Sequence, residues 1–209
     1  AKDLIHVAYG MVSLESGSMS TRGGNVVLLE DVINKTIEKA YEVIEAKNPD
    51  LKDKEKVARA VGTGAVIFGA LCNNKIKDIV FSYDKVLNFD GETGPYVQYT
   101  YARCNSVLKK GGEVKGFNIT SLNEDEYNLV NELNKFPQII EQSHEKYEPS
   151  LITRYAIDLC EVYNKFYFDC KILGEEDGVK NFRLALTFAT KTVIKNALSL
   201  LGIKAPEKM

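Results

Sequence analysis

Over Leu4–Leu14 apolar and polar positions alternate loosely, with Ile5, Val7, Tyr9 and Val12 supplying β-branched and aromatic side chains, a pattern that predicts a strand. A glycine- and serine-rich stretch, SGSMSTRGGN, follows, and NVVLL after it predicts a second short extended piece. Together they suggest the edge of a sheet rather than a complete domain. From Glu30 the apolar spacing lengthens to three and four. Leu29, Ile33, Ile37, Ala40 and Ile44 make a helical stripe, Glu30 and Asp31 suit its first turn, and Asn48-Pro49 stops it.

The helical period then persists. A second helix is expected after Asp53, with Val57, Val61, Ala65, Phe68 and Cys72 on one face. Gly62, Gly64 and Gly69 each cost it roughly 1 kcal/mol of propensity against Ala, which points to close packing at those positions. A linker-like stretch holding one short strand or turn leads to the breakers Asp90-Gly91 and Gly94-Pro95. Helices are predicted from Pro95 to Lys109, Glu124 to Leu133 and Pro137 to Lys146. Two long ones follow. The first carries Ile152, Tyr155, Leu159, Tyr163, Phe166 and Cys170, and the second Phe182, Leu186, Ala189, Val193, Ala197 and Leu200, with Gly202 as its stop. The predicted fold class is mainly α, a helical bundle preceded by a short β edge. We divide it into 1–28 (sheet edge and loop), 29–88 (linking helices) and 89–209 (bundle).

Composition narrows the chemistry. No apolar run approaches a membrane span, and the N-terminus does not open a signal peptide, so a cytoplasmic location is expected. The four cysteines have no C-x-x-C spacing and only His6 and His144 stand beside them, which predicts buried free thiols and no metal site. So few histidines also leave little basis for Ser-His or Cys-His catalysis. Charge is uneven: residues 113–177 hold six basic and fourteen acidic side chains, residues 178–209 six basic and one acidic. A polyanion would favour the C-terminal end.

Two features stand out from the packing pattern. The loop Ser18-Met19-Ser20-Thr21-Arg22 offers hydroxyls, backbone N–H groups and one cation ahead of a helix, a composition suited to phosphate. In FDGETGPYVQYTYAR, Tyr96, Tyr99 and Arg103 fall on one helical face. Two rings and a guanidinium in a stripe suit unpaired bases, and they equally suit an aromatic core stripe capped by a surface Arg. Lys180, Arg183, Thr187, Lys191 and Lys195 form a face opposite the apolar seam of the last helix, either tracking a phosphate backbone or simply solvated. Rings surround the helix at VYNKFYFD, so some must face a neighbour or a partner.

Four ordered stretches carry a resemblance. YGMVSLESGSMSTRGGNVVLLEDV looks like the K-M-S-K-S signature loop of the arginyl-tRNA synthetases, a class I aminoacyl-tRNA synthetase family. NPDLKDKEKVARAVGTGAVIFGAL, FDGETGPYVQYTYAR and LLGIKAPEKM resemble that family's following helices, its hallmark helix and its ending. The resemblance implies an arginine–tRNA ligase that uses ATP and Mg²⁺, with Ser18, Met19, Ser20, Thr21 and Arg22 at the ATP phosphates. Ser18 and Thr21 stand where the signature has lysines, leaving Arg22 as the sole cation. It further implies an anticodon-binding bundle in which Tyr96, Tyr99, Arg103, Tyr163 and Met209 meet the anticodon loop of an arginine-accepting tRNA.

No H-I-G-H motif or nucleotide-binding fold is visible, so the expectation is a piece of the enzyme that recognises tRNA, binds no cofactor, acts as a monomer and does not aminoacylate alone. The alternatives are a stand-alone helical protein-interaction module and the equivalent part of another class I synthetase such as the cysteinyl enzyme. GPYVQYTYAR and the APEKM ending speak against the cysteinyl reading.

Overall fold

The computed structural model describes residues 4–14, 27–114, 116–117, 119 and 121–209. The signature-like loop Ser18–Arg22 lies outside the described residues. Mainly α is the correct class: the described residues form β1 (Val12–Leu14), α1 (Leu29–Lys47), α2 (Lys54–Leu71), β2 (Ile79–Phe81), a one-turn α3 (Tyr83–Val86), α4 (Gly94–Gly111), α5 (Glu124–Asn134), α6 (Phe136–Lys146), α7 (Ser150–Asp169) and α8 (Asp177–Leu200).

The sheet edge is shorter than expected. Only three residues of Leu4–Leu14 are strand, and they pair in parallel with β2, Val12 against Ile79 and Leu14 against Phe81. Parallel partners cannot be joined by a tight turn, and the crossover here carries α1 and α2. NVVLL is not a second strand throughout, because Leu29 already opens α1.

Local chemistry sets the helix ends. Thr93 caps α4 by accepting from the Tyr96 N–H at 3.3 Å, and Pro95 sits in the first turn, where its missing N–H costs nothing. Asn123 and Glu126 form a reciprocal capping box on α5. Gly202 takes φ +74 after α8, and the Ile203 N–H returns to the Leu198 carbonyl at 2.8 Å.

Two cores result. Val57, Val61 and Ala65 of α2 pack against Ala40 and Ile44 of α1, with Leu87 closing the cluster. The larger core joins α4 to α8 around Val97, Leu129, Leu159, Tyr163, Phe166, Leu184 and Leu198, and Phe68 reaches into it from α2. Gly62 is where α1 and α2 come closest: a Cβ there would lie 2.7 Å from the Ile37 Cα. The buried stripe of α1 is Val32, Thr36, Ala40 and Ile44, rotated from the expected one, and Leu29 is exposed. On α8 the expected Phe182, Leu186 and Ala197 are buried, but the seam is wider than expected. Thr187, Thr190, Ile194 and Leu198 face inward, while Phe188 and Leu200 are exposed.

The segment after α8 runs back along the molecule. The Gln98 side-chain amide donates to the Ala60 carbonyl (3.1 Å) and the Lys204 carbonyl (2.7 Å), Asn105 donates to the Glu207 carbonyl (2.9 Å), and Asn48 to the Met209 carbonyl (3.1 Å). This stitches α1, α2 and α4 to residues 204–209. No helix among the described residues is long and apolar enough to cross a membrane.

The bundle must keep several acidic groups protonated. Burial pushes the Cys104 thiol up to about 12, and it holds the Cys160 thiol and the Tyr155 and Tyr163 phenols well above their ordinary range. An unfolded chain releases these protons first, from thiols near 9.0 and phenols near 10.0. Their contribution to stability is therefore complete below about pH 9 and declines as pH rises toward about 12. Thermal melts should give a flat midpoint up to about pH 8.5 and a falling one above it. A midpoint unchanged at pH 11 would contradict this.

Candidate nucleic-acid interface

The outward face of α4 carries Tyr96, Tyr99 and Arg103, and the structure assembles them with two residues of α7. Arg103 donates through Nη1 to the Asn164 side-chain carbonyl. The Asn164 amide donates in turn to the Tyr96 hydroxyl at 3.0 Å and the Thr100 hydroxyl at 3.3 Å. All of Asn164's strong hydrogen-bonding groups are engaged on one side, so it orients both the guanidinium and the phenol. The guanidinium stacks over two rings, with its carbon 5.0 Å from the Tyr99 centroid and 5.3 Å from that of Tyr167.

Exposure divides the labour. Tyr96 is half-buried, and burial holds its phenol above the ordinary range, so it stays neutral and retains its proton for donation. Tyr99 and Tyr167 are exposed (42% and 43%), and Phe168 stands free at 88%. An open groove of about 430 Å³ continues from Arg103 between α4 and the residues after α7, with Lys110 and Lys171 also on its lining. Exposed ring edges beside three cations can stack bases and neutralise the connecting phosphates.

Tyr163 has a different place. It is fully buried, its ring packs on Phe166 (6.0 Å) and on Tyr167 (6.3 Å, interplanar 26°), and its hydroxyl faces Cys104 and Thr187 inside the core. The structure places Tyr163, expected to meet a base, with no face of its ring reaching solvent. It backs Tyr167, which offers the exposed ring one turn later on the same helix.

Met209 is separated from the stripe as well. It packs on the α1–α2 core, and residues 204–207 lie along the Gln98–Asn105 face of α4, roughly opposite Tyr96 and Arg103 at 100° per residue. The stripe foreseen on α8 also dissolves. Arg183, half-buried, is held by Glu126 (2.8 Å) and the Lys171 carbonyl (2.7 Å), Thr187 is fully buried, and Lys191 donates to Asn105 (2.7 Å) while lying over the Tyr101 ring. Charge on a helical wheel gave no sign of these partners, all of which come from other elements.

Asn164 and Tyr167 went unassigned by sequence reasoning. The signal was present in VYNKFYFD, where the rings outnumber one helix's buried face, but the partner of Asn164 lies 61 residues away at Arg103.

Comparison with known proteins places the geometry. Residues 97–209 match the family described as "DALR anticodon binding domain", and residues 1–83 the family described as "tRNA synthetases class I (R), catalytic domain". The chain is 55% identical over its whole length to an arginine–tRNA ligase of Halothermothrix orenii and 49% identical to one of Clostridioides difficile. It spans 38% of the length of each. A solved Thermus thermophilus arginyl-tRNA synthetase superposes with a TM-score of 0.93 at 34% identity, over 98% of this chain and 35% of that one.

Proposed function

Because the chain belongs to the DALR anticodon-binding domain family, behind the end of a class I (R) synthetase catalytic domain, we propose that it is the tRNA-recognising portion of an arginine–tRNA ligase. In this reading residues 1–28 belong to the catalytic domain's edge, 29–88 link it to the bundle, and 89–209 engage the anticodon loop. The observation that carries the reading is the Tyr99–Arg103–Tyr167 stack held by Asn164. Tyr99 and Tyr167 stack unpaired bases, Arg103 spans the rings and meets phosphate or a base edge, and Tyr96 offers its phenol proton. Tyr163 acts from behind as support for Tyr167, and Met209 acts by fixing the segment that lies along α2 and α4.

The whole enzyme would join arginine to tRNA with ATP and Mg²⁺. Ser18–Arg22, the residues of this chain that would meet the ATP phosphates, lie outside the described residues, so the proposal for this chain rests on recognition. It takes the chain as a cytoplasmic monomer. The competing reading, a protein-interaction module, would leave the stacked guanidinium and the two exposed tyrosines without a nucleic-acid role.

The discriminating experiment is equilibrium binding of this chain to tRNA with an arginine anticodon and to the same tRNA with that anticodon replaced, at one stated salt concentration. We expect the matched tRNA to bind at least about tenfold more tightly, the value of one base contact of roughly 1–3 kcal/mol. Equal affinities, unchanged by Tyr99→Ala, would favour the interaction module.

A further inference from the structure

A second open groove lies away from the stacked arginine. It lies between α2 and the segment Gly202–Lys208 and encloses about 750 Å³. Lys52, Lys56 and Arg59 line it from the α2 side, Lys204 and Lys208 from the other. All five are exposed, and none makes an ion pair or a side-chain hydrogen bond among the described residues.

Cations bordering the groove are paired instead. Lys54, between two of these residues in sequence, is paired with Glu45 at 2.5 Å, and Lys109 takes Glu207, one of only two acids on the groove's lining. Five cations facing one cleft against two acids repel one another and raise a positive potential that low-lying apolar walls focus. Ala60, Gly64 and Ile203 supply such walls. The groove is also preformed: its far side is fixed by the Gln98 bond to the Lys204 carbonyl and the Asn105 bond to the Glu207 carbonyl. A merely solvated lysine face would need neither the cleft nor the bracing.

We propose that this groove binds the sugar–phosphate backbone of a base-paired stretch of the same tRNA, as a sequence-independent anchor. The proposal rests on the tRNA reading above. Backbone is favoured over bases because no aromatic ring lines the groove, in contrast to the α4–α7 site. The two surfaces then divide the work, one holding the RNA and the other reading it.

Salt dependence tests this directly. The triple variant Lys56→Gln, Arg59→Gln, Lys204→Gln is compared with the unaltered chain for binding to matched and anticodon-replaced tRNA across a range of salt. Each phosphate contact removed should lower the slope of log affinity against log salt by about 0.7–0.9. A total loss of about two and a weakening of about 10- to 100-fold at low salt are expected, with the ratio between the two tRNAs unchanged. The charge-keeping variant Lys56→Arg, Arg59→Lys, Lys204→Arg should retain the slope. An unchanged slope in the triple variant, with anticodon discrimination intact, overturns the groove and leaves the tRNA reading standing. Equal loss in both variants marks a structural defect and also overturns it. A slope that falls as expected in a chain that never discriminates anticodons supports the groove and removes the reading.

Discussion

Tyr163→Ala lowers the stability of the bundle by about 3–5 kcal/mol, while Tyr163→Phe changes it by no more than about 1 kcal/mol. The side chain is fully enclosed, among the largest in the core, and touches Phe166 and Tyr167. Truncating it removes the transfer energy of a whole ring and leaves a cavity that rigid helices on either side cannot close. For a chain of this size each kcal/mol moves the thermal midpoint by about 2–4 °C, so a drop of at least about 6 °C is expected. The phenylalanine variant isolates the hydroxyl. That group faces Cys104 and Thr187 where burial forces it to stay protonated, so deleting it sets weak hydrogen bonds of about 1 kcal/mol against a desolvation cost of about 1–3 kcal/mol. Thermal melts of both variants settle the matter. A Tyr163→Phe destabilised as much as Tyr163→Ala would make the hydroxyl's bonds, not the ring, the source of the stability, and a stable Tyr163→Ala that loses only tRNA binding would place this residue on the RNA surface.

Arg103→Ala should be the most damaging single change to RNA binding, with a loss of about 1–3 kcal/mol, or roughly 5- to 150-fold in affinity. One side chain here holds two rings in place and presents the charge between them. Arg103→Lys should restore little, because an ammonium has neither the plane that stacks on Tyr99 and Tyr167 nor the fork that meets Asn164. Folding should hardly change in either variant, since the guanidinium is partly open to water and its contacts are peripheral to the core. The pair of measurements is therefore affinity for matched tRNA at fixed salt and the thermal midpoint. Wild-type affinity in Arg103→Ala would sink the stacking site, and a large fall in midpoint would make its role structural.

The sequence pattern revealed the class, the order of the helices and most of their ends, because these depend on local signals. Asn48-Pro49, Thr93 ahead of Pro95, and Gly202 each act within a few residues of where they stand. On α7 the inward face was also legible: Ile152, Tyr155, Leu159, Tyr163, Phe166 and Cys170 are all buried. The same inward stripe places Tyr163 in the core, and the exposed ring comes one turn later, at Tyr167. On α1 and α8 periodicity found only part of the seam, Ala40 and Ile44 on the one and Phe182, Leu186 and Ala197 on the other. Thr36, Thr187 and Thr190 are buried because their hydroxyls bond to the carbonyl four residues back, which lets a polar side chain occupy an apolar seam. The candidate site was legible on α4 alone. Asn164, the residue that orders it, is polar, central and unremarkable until α7 is laid against α4.

The contacts that hold residues 204–209 span 102 residues at Asn105, 106 at Gln98 and 161 at Asn48. The α1–α2 pair and the α5–α6 turn, by contrast, are built from neighbours in sequence. Closing loops of such length brings an entropic penalty before any bond forms, so these contacts belong late in folding. Interactions absent from the folding barrier leave the rate of folding untouched and slow only the rate of escape. The three side-chain amides should therefore behave as a kinetic latch: Asn105→Ala should speed unfolding in stopped-flow measurements and leave the folding rate unchanged, and a slowed folding rate would place these contacts in the barrier.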